Sequence, residues 1–481
     1  MQVLPVKFES VLRGDKLSFA PLILPVESDL ATFRKLHGYA RRQDAGLLAV
    51  LSNPPGQGKT TAVYAASVLL RELFGPVLSV PPSLSLALRD LPSWLLANLP
   101  ALVQEKTTLV LIDGRESTDD EQGLRDVMAA LNNLVRGRPD LLFVWPTTDS
   151  QWRDRLVNTA RDFGSKSFCP DAGIFAVAGP AKDQWVEAVG LVLDQLGSNW
   201  DEFGINESTA TLMLPDFDTL GDFITGINQI RSDQEEVAES TTGLPQVVFV
   251  VSSHSRVVGD VARLRNSSSY KIRTEEIINS SRQSEVGKFW KARGAKQRTN
   301  LAWVSSLLQA KLVALTPSTV AHAVGLEAPA SSRVGEAIAG QSFRPSKSTG
   351  ATAFRTTDFA RFLKGEPVPE LLTANKGKTS ESTLAAYDAI QSLSRLQHRS
   401  INEALLRFVG PVSGSFDPDG VQYEVGLGGD AIADAVVALD NQRIHFEFHH
   451  VSGPNCSPNK IAEYIMKKLR VYATQYNLID R

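Results

Sequence analysis

Short apolar runs alternate with longer stretches of helical spacing between about residues 45 and 180, and this alternation constrains the fold more than any other feature of the chain. Leu47–Leu51, Leu109–Ile112, Leu141–Trp145 and Ile174–Val177 are unbroken apolar runs of strand length, and Pro76–Val80 is a weaker fifth. Thr61–Phe74 and Gly123–Val135, between them, have helical spacing. A strand with no polar alternation has to be buried on both faces. The pattern therefore predicts an α/β domain, a parallel sheet covered by helices on each side.

The chain of 481 residues is too long for one such domain. Residues 181–255 read as a helical segment closed by a strand at Gln246–Val251. Residues 256–326 are basic and predicted to be mostly helical, with helices over Gln297–Leu315 and Pro317–Val324. Residues 327–381 are rich in Ser, Thr, Ala, Gly and Pro and read as a linker with a short helix near Asp358–Leu363. Residues 382–481 regain order: a helix over Ser382–Phe408, strands near Val421–Gly426, Ala433–Leu439 and Arg443–His449, and a helix over Asn459–Tyr476.

Charge is unevenly distributed. The formal net charge is −3, but residues 1–255 hold 21 Lys/Arg against 32 Asp/Glu, residues 256–311 hold 12 against 4, and the remainder holds 17 of each. A basic segment inside an acidic protein points to phosphate-rich partners. The two cysteines, Cys169 and Cys456, exclude a disulfide-stapled scaffold and fit a reducing, cytoplasmic setting. The N-terminal residues lack the apolar core of a signal peptide, and no run reaches the length of a membrane span, so no membrane partner is expected.

The strongest motif is Asn53-Pro54-Pro55-Gly56-Gln57-Gly58-Lys59-Thr60-Thr61, between a predicted strand and a predicted helix. Gly56 and Gly58 allow the backbone to approach a polyphosphate and point its N–H groups inward. Lys59 supplies a charge for the β- and γ-phosphates, Thr60 a hydroxyl for Mg²⁺, and the helix its positive end. Pro55, Gln57 and Thr61 complete the expected ATP-binding set. Asp113 ends the strand Leu109–Ile112, where a carboxylate would hold Mg²⁺ through water.

These residues resemble the AAA+ and STAND-type ATPases over about residues 20–235. The resemblance implies a P-loop ATPase core over 1–180 and a helical lid after it. It also implies a polar sensor of the γ-phosphate, here Thr147 or Thr148, and nucleotide-linked homo-oligomers. The family's glutamate after the strand aspartate is absent: Gly114 stands there, and the nearest glutamate, Glu116, is the expected substitute. Arg153, Arg155 and Arg161 occupy the stretch where an arginine finger would lie.

A second constellation lies near the C-terminus. Asp434 and Glu447 sit on two apolar strands joined by Leu439-Asp440-Asn441-Gln442-Arg443, a turn that makes a hairpin and sets the acids side by side. Two carboxylates at one end of a sheet can hold Mg²⁺ or Mn²⁺ for attack on a phosphodiester. The arrangement resembles the PD-(D/E)XK nucleases over about residues 385–476, with Glu403 as the helix acid and Lys467-Lys468-Leu469-Arg470-Val471-Tyr472 as the basic helix. It implies a restriction-endonuclease-like α/β domain. His449 stands where the family has lysine, so His449 itself, Lys460 or Lys467 would have to supply the charge. His445, His449, His450 and Cys456 also admit a structural zinc.

Two functions are consistent with this reading. One is an ATPase that couples nucleotide state to binding or metal-dependent cleavage of nucleic acid, DNA being favoured. Its basic middle, with a possible winged helix near Leu315–Gly325, would contact the strand. By fold analogy, prokaryotic defence or mobile-element processing would be its setting. The other is a STAND-like switch, in which ATP drives oligomerisation and the C-terminal domain binds nucleic acid or a separate protein subunit without cutting.

Overall fold

The computed structural model describes residues 4–5, 23–81, 83–84, 90–99, 102–115, 121–254 except 241–242, 256–266, 269–294, 300–368, 379–428, 431–439 and 442–479. It divides into two compact units. The first comprises Met1–Ser198 and Leu214–Gly226, the second Asn199–Met213 and Ile227–Arg481.

The first unit is built on a five-stranded parallel sheet of β1 (Leu47–Ser52), β2 (Leu78–Ser79), β3 (Thr108–Leu111), β4 (Leu141–Thr147) and β5 (Ile174–Phe175), in the order β2-β3-β4-β1-β5. The unbroken apolar runs have the expected physical origin. Leu48 and Val50 pack into one core with Leu124, Val127 and Leu131 of the helix Glu121–Val135. Leu47, Ala49 and Leu51 face the other way, onto Phe33 and Leu36 of the helix Glu27–Gln43 and Val63 and Ala66 of the helix Lys59–Leu69. Both faces are covered, so neither can be polar.

The second unit holds a mixed sheet of β6 (Gln246–Ser252), β7 (Lys311–Leu315), β8 (Gln422–Gly428), β9 (Ala431–Leu439) and β10 (Gln442–His450), in the order β7-β6-β10-β9-β8. β8, β9 and β10 form an antiparallel meander, while β6 runs parallel to both β7 and β10. Leu439 pairs with Gln442 across a two-residue connection, as the hairpin reading requires. Asp440 and Asn441 themselves lie outside the described residues.

Four sequence expectations change here. The strand expected over Gln246–Val251 and assigned with the lid is β6, which lies between β7 and β10 in the second sheet with all seven of its residues buried. The helix expected over Gln297–Leu315 is a short helix, Leu301–Leu307, followed by β7, because Leu312–Leu315 is an apolar run taken up by the edge of β6. The stretch 327–381 is not a bare linker: the helices Arg333–Ala339, Lys347–Arg355 and Asp358–Leu363 bury Val334, Ile338, Phe354 and Phe359 in the same core as Phe446 and Phe448. The single helix expected over Ser382–Phe408 is two, Glu381–Leu393 and His398–Ser413.

Candidate functional site

The first site lies at the C-terminal end of β1. Chain direction reverses there through Gly56 and Gly58, with φ of 76° and 77°, values that cost a residue with a Cβ. Gly58 caps the helix Lys59–Leu69. Asn53, at the start of the loop, does not adopt left-handed backbone. Its side chain ties the end of β1 to the segment after β5: Nδ2 donates to the Val177 carbonyl (2.9 Å) and to Gln57 Oε1 (2.7 Å), and Oδ1 accepts from Val177 N–H (2.7 Å). Buried Asp29 fixes the next turn, accepting from the N–H groups of Ala178 and Gly179. Sequence reading missed Asp29, whose role depends on contacts about 150 positions away.

Lys59 Nζ lies across the loop and donates to the carbonyls of Asn53 (2.7 Å) and Pro54 (3.1 Å). Thr60 donates its hydroxyl to Asp113 Oδ2 at 2.7 Å, although β4 separates their strands. Pro55 and Gly56 are exposed, and Gln57, Thr60 and Thr61 half-buried. Thr147 ends β4, paired with Ser52; it is fully buried and its hydroxyl donates to the Asp149 carbonyl (3.2 Å). Thr148 is half-buried. Gly114 has φ 69° and donates its N–H to Asp113 Oδ1. A glutamate would therefore be strained at this position. The indoles of Trp145 and Trp152 both donate to the Arg115 carbonyl, holding the segment after the acid. Glu116 lies outside the described residues. Arg153 pairs with Asp154, Arg161 with Asp171, and Arg155 lies over Trp152.

The second site forms where β9 and β10 meet the helix Pro458–Gln475. Asp434 and Glu447 converge on one ammonium, that of Lys468, which touches Glu447 Oε2 and lies 3.7 Å from Asp434 Oδ1. Lys460 and Lys467, the expected donors, instead pair with Glu463 on the outer face. Lys468 is neighboured one turn either way by Tyr464 and Tyr472, an i, i+4 series that turns one helix face to the sheet. Tyr472 donates to Glu447 Oε1 (2.7 Å), and Tyr464 donates to the Phe448 carbonyl (3.2 Å). Phe448 N–H is held by Asp434 Oδ2 (2.7 Å). Apart from Lys468, this support was invisible to motif reading, and the series at 464, 468 and 472 was the available signal.

Electrostatics follow from burial. Glu447 is fully buried, and burial together with the Asp434 charge pushes it up to about 8 against the pull of Lys468 and Tyr472. Burial likewise raises Asp434, partly offset by Lys468. Burial opposes the Lys468 charge, but the two carboxylates outweigh it and hold the ammonium above its usual range. His449 stacks on the Tyr464 ring at 4.1 Å, and burial, then the Lys468 charge, lowers it to about 4. It is neutral near pH 7 and cannot replace the lysine charge. Lys468 supplies the cation beside the two acids.

The remaining expectations disperse. Glu403 pairs with Arg407 rather than joining the two acids. His445 contacts Tyr472, His450 contacts Ser252 and Asn402 on the opposite face, and Cys456 lies near Asp260. Among the described residues no group of three or more His, Cys, Asp or Glu side chains is placed to hold a metal, which removes the zinc reading. No helix among them is long and apolar enough to cross a membrane. No protein-family model matches the chain, and no curated protein sequence matches it.

Proposed function

We propose that the protein binds and hydrolyses ATP at the first site and uses nucleotide state to control binding or metal-dependent cleavage of nucleic acid, DNA being favoured, at the second. The nucleotide half is carried by the contact of Thr60 with Asp113 at the mouth of a loop whose two glycines hold left-handed backbone. A hydroxyl and a carboxylate 2.7 Å apart are the hard oxygen donors that Mg²⁺ takes, so the residues fit the ion. Bound Mg²⁺ would neutralise phosphate charge. Lys59 would contact the β- and γ-phosphates, and the start of the helix Lys59–Leu69 would add its dipole. The position of β4 between the loop strand and the acid strand supports an AAA+-like core, with Thr147 and Thr148 at the tip of that strand.

The nucleic-acid half rests on the Asp434–Lys468–Glu447 cluster. Its oxygen donors suit Mg²⁺ or Mn²⁺, which would activate water there. Lys468 would stabilise charge on a phosphodiester, and Tyr472 would hold the Glu447 carboxylate in place. The meander β8-β9-β10 with a parallel strand beside β10 supports the restriction-endonuclease-like reading; β6, from upstream, fills that place.

One observation favours the switch reading. Glycine with left-handed backbone occupies the position after Asp113, so that position cannot carry a water-polarising glutamate without strain, and ATP binding rather than turnover would do the work. Both readings are tested by cleavage of single-stranded, linear and supercoiled DNA with Mg²⁺ or Mn²⁺, with and without ATP. Loss of cleavage in Glu447→Ala and altered cleavage in Lys59→Ala support the ATP-controlled nuclease. No cleavage under any condition, with ATP-dependent oligomers intact, supports the switch.

A further inference from the structure

The helix Glu285–Ala292 is fixed to the helix Pro458–Gln475 by the indole N–H of Trp290, which donates to the Met466 carbonyl at 3.0 Å. Next to this anchor, Phe289 carries two guanidinium groups on its ring. The central carbon of Arg293 lies 3.8 Å from the ring centroid and that of Arg470 lies 4.0 Å from it. A guanidinium laid on an aromatic face keeps its in-plane N–H donors directed outward.

The flanking lysines are neutralised, Lys288 by Glu285 and Lys467 by Glu463. Among the described residues Arg293, Arg470 and the exposed Lys291 have no carboxylate partner. Two like charges held on one ring repel each other. The Phe289 ring offsets part of that repulsion, and a polyanion would offset the rest. Arg470 lies two residues beyond Lys468 on the same helix, so one helix carries both the charge at the acidic pair and a charge on the outer surface.

We propose that Arg293 and Arg470, stacked on Phe289, form a clamp for the sugar-phosphate backbone of a nucleic-acid strand, holding two phosphates without reading sequence. This rests on the nucleic-acid reading above and names the surface that would carry the strand. Cation–π stacking restricts the guanidinium rotamers before binding, and each in-plane pair of donors matches a phosphate bidentately.

The test is binding of a fluorescent 30-base DNA to the full chain by anisotropy, with EDTA present so that nothing is cut, over a salt series. Arg293→Ala/Arg470→Ala is expected to bind about tenfold more weakly or worse. Its log Kd against log salt is expected to be shallower by about 1.4, the slope of two lost contacts to a single strand. Arg470→Gln, an exposed helix position, should lose about half of that slope, and circular dichroism checks the fold of each variant. Phe289→Leu should weaken binding with little change of slope, since both charges remain. Millimolar inorganic phosphate should not compete; release of the DNA by it would mark a pocket for free phosphate and overturn the clamp. Unchanged affinity and slope in the double variant, with the parent chain binding DNA, overturns the clamp alone. A parent chain that does not bind DNA overturns the clamp and the nucleic-acid reading together.

Discussion

Lys468 shows how one side chain can hold a cluster together. It contacts two acids, one of them fully buried, and its loss removes the cation that offsets their burial. Lys468→Met is expected to destabilise the second unit by about 2–3 kcal/mol, below the full cost of breaking a buried pair because the lysine is partly solvated. Lys467→Met, one residue away and paired only with surface Glu463, should cost under about 0.5 kcal/mol; urea unfolding of the two variants checks the contrast. Asp201 gives a pH dependence. Burial raises it to about 7, while the N–H and hydroxyl of Thr274 donate to it and pull the other way. The folded state therefore keeps a proton that the unfolded chain releases near pH 4, and this contribution to stability is lost as pH rises from about 4 to 7. Asp201→Asn should flatten the Tm profile across that window; an unchanged slope would show that another group carries it.

At the scale of elements, backbone conformation and helix spacing decide most of what the two sites can do. Gly58 ends the loop in left-handed backbone and starts the helix that would receive the phosphates. Gly58→Ala should cost about 1–2 kcal/mol from strain alone. Its larger effect is expected on nucleotide affinity, measured by titration with a fluorescent ATP analogue, because the loop N–H groups would turn away. The glycines, lysine and threonine of this loop were legible because the motif is local: strand, turn and helix are contiguous in sequence. The second site was half legible. Asp434 and Glu447 could be found from apolar alternation and a hairpin turn, but the lysine partner comes from a helix whose rotation about its own axis is set by packing. The sequence reading named Lys460 and Lys467 for that role; the hydrogen bonds of Tyr464 and Tyr472 to β10 turn Lys468 to the acids instead.

At the scale of the whole molecule, the second sheet is assembled from distant segments. β6 and β7 come from residues 246–315 and β8 to β10 from 422–450, and the core joins Val248 and Val313 to Phe446 and Phe448. A fragment of residues 382–481 therefore lacks the strand beside β10 and is expected to aggregate or to give an unfolded circular dichroism spectrum. A folded, monomeric fragment on size exclusion would contradict this assembly. The sequence by itself determined the strands of the first sheet, the glycine loop with its lysine and threonine, and the two acids of the hairpin, because each is encoded within a few tens of residues by periodicity or turn chemistry. Only the tertiary structure decided that Gln246–Ser252 belongs to the second sheet, that Thr60 meets Asp113 across β4, and that Lys468 rather than His449 faces the acids. An apolar strand reads the same whichever sheet takes it up, and a contact between distant segments is fixed by packing rather than by spacing along the chain.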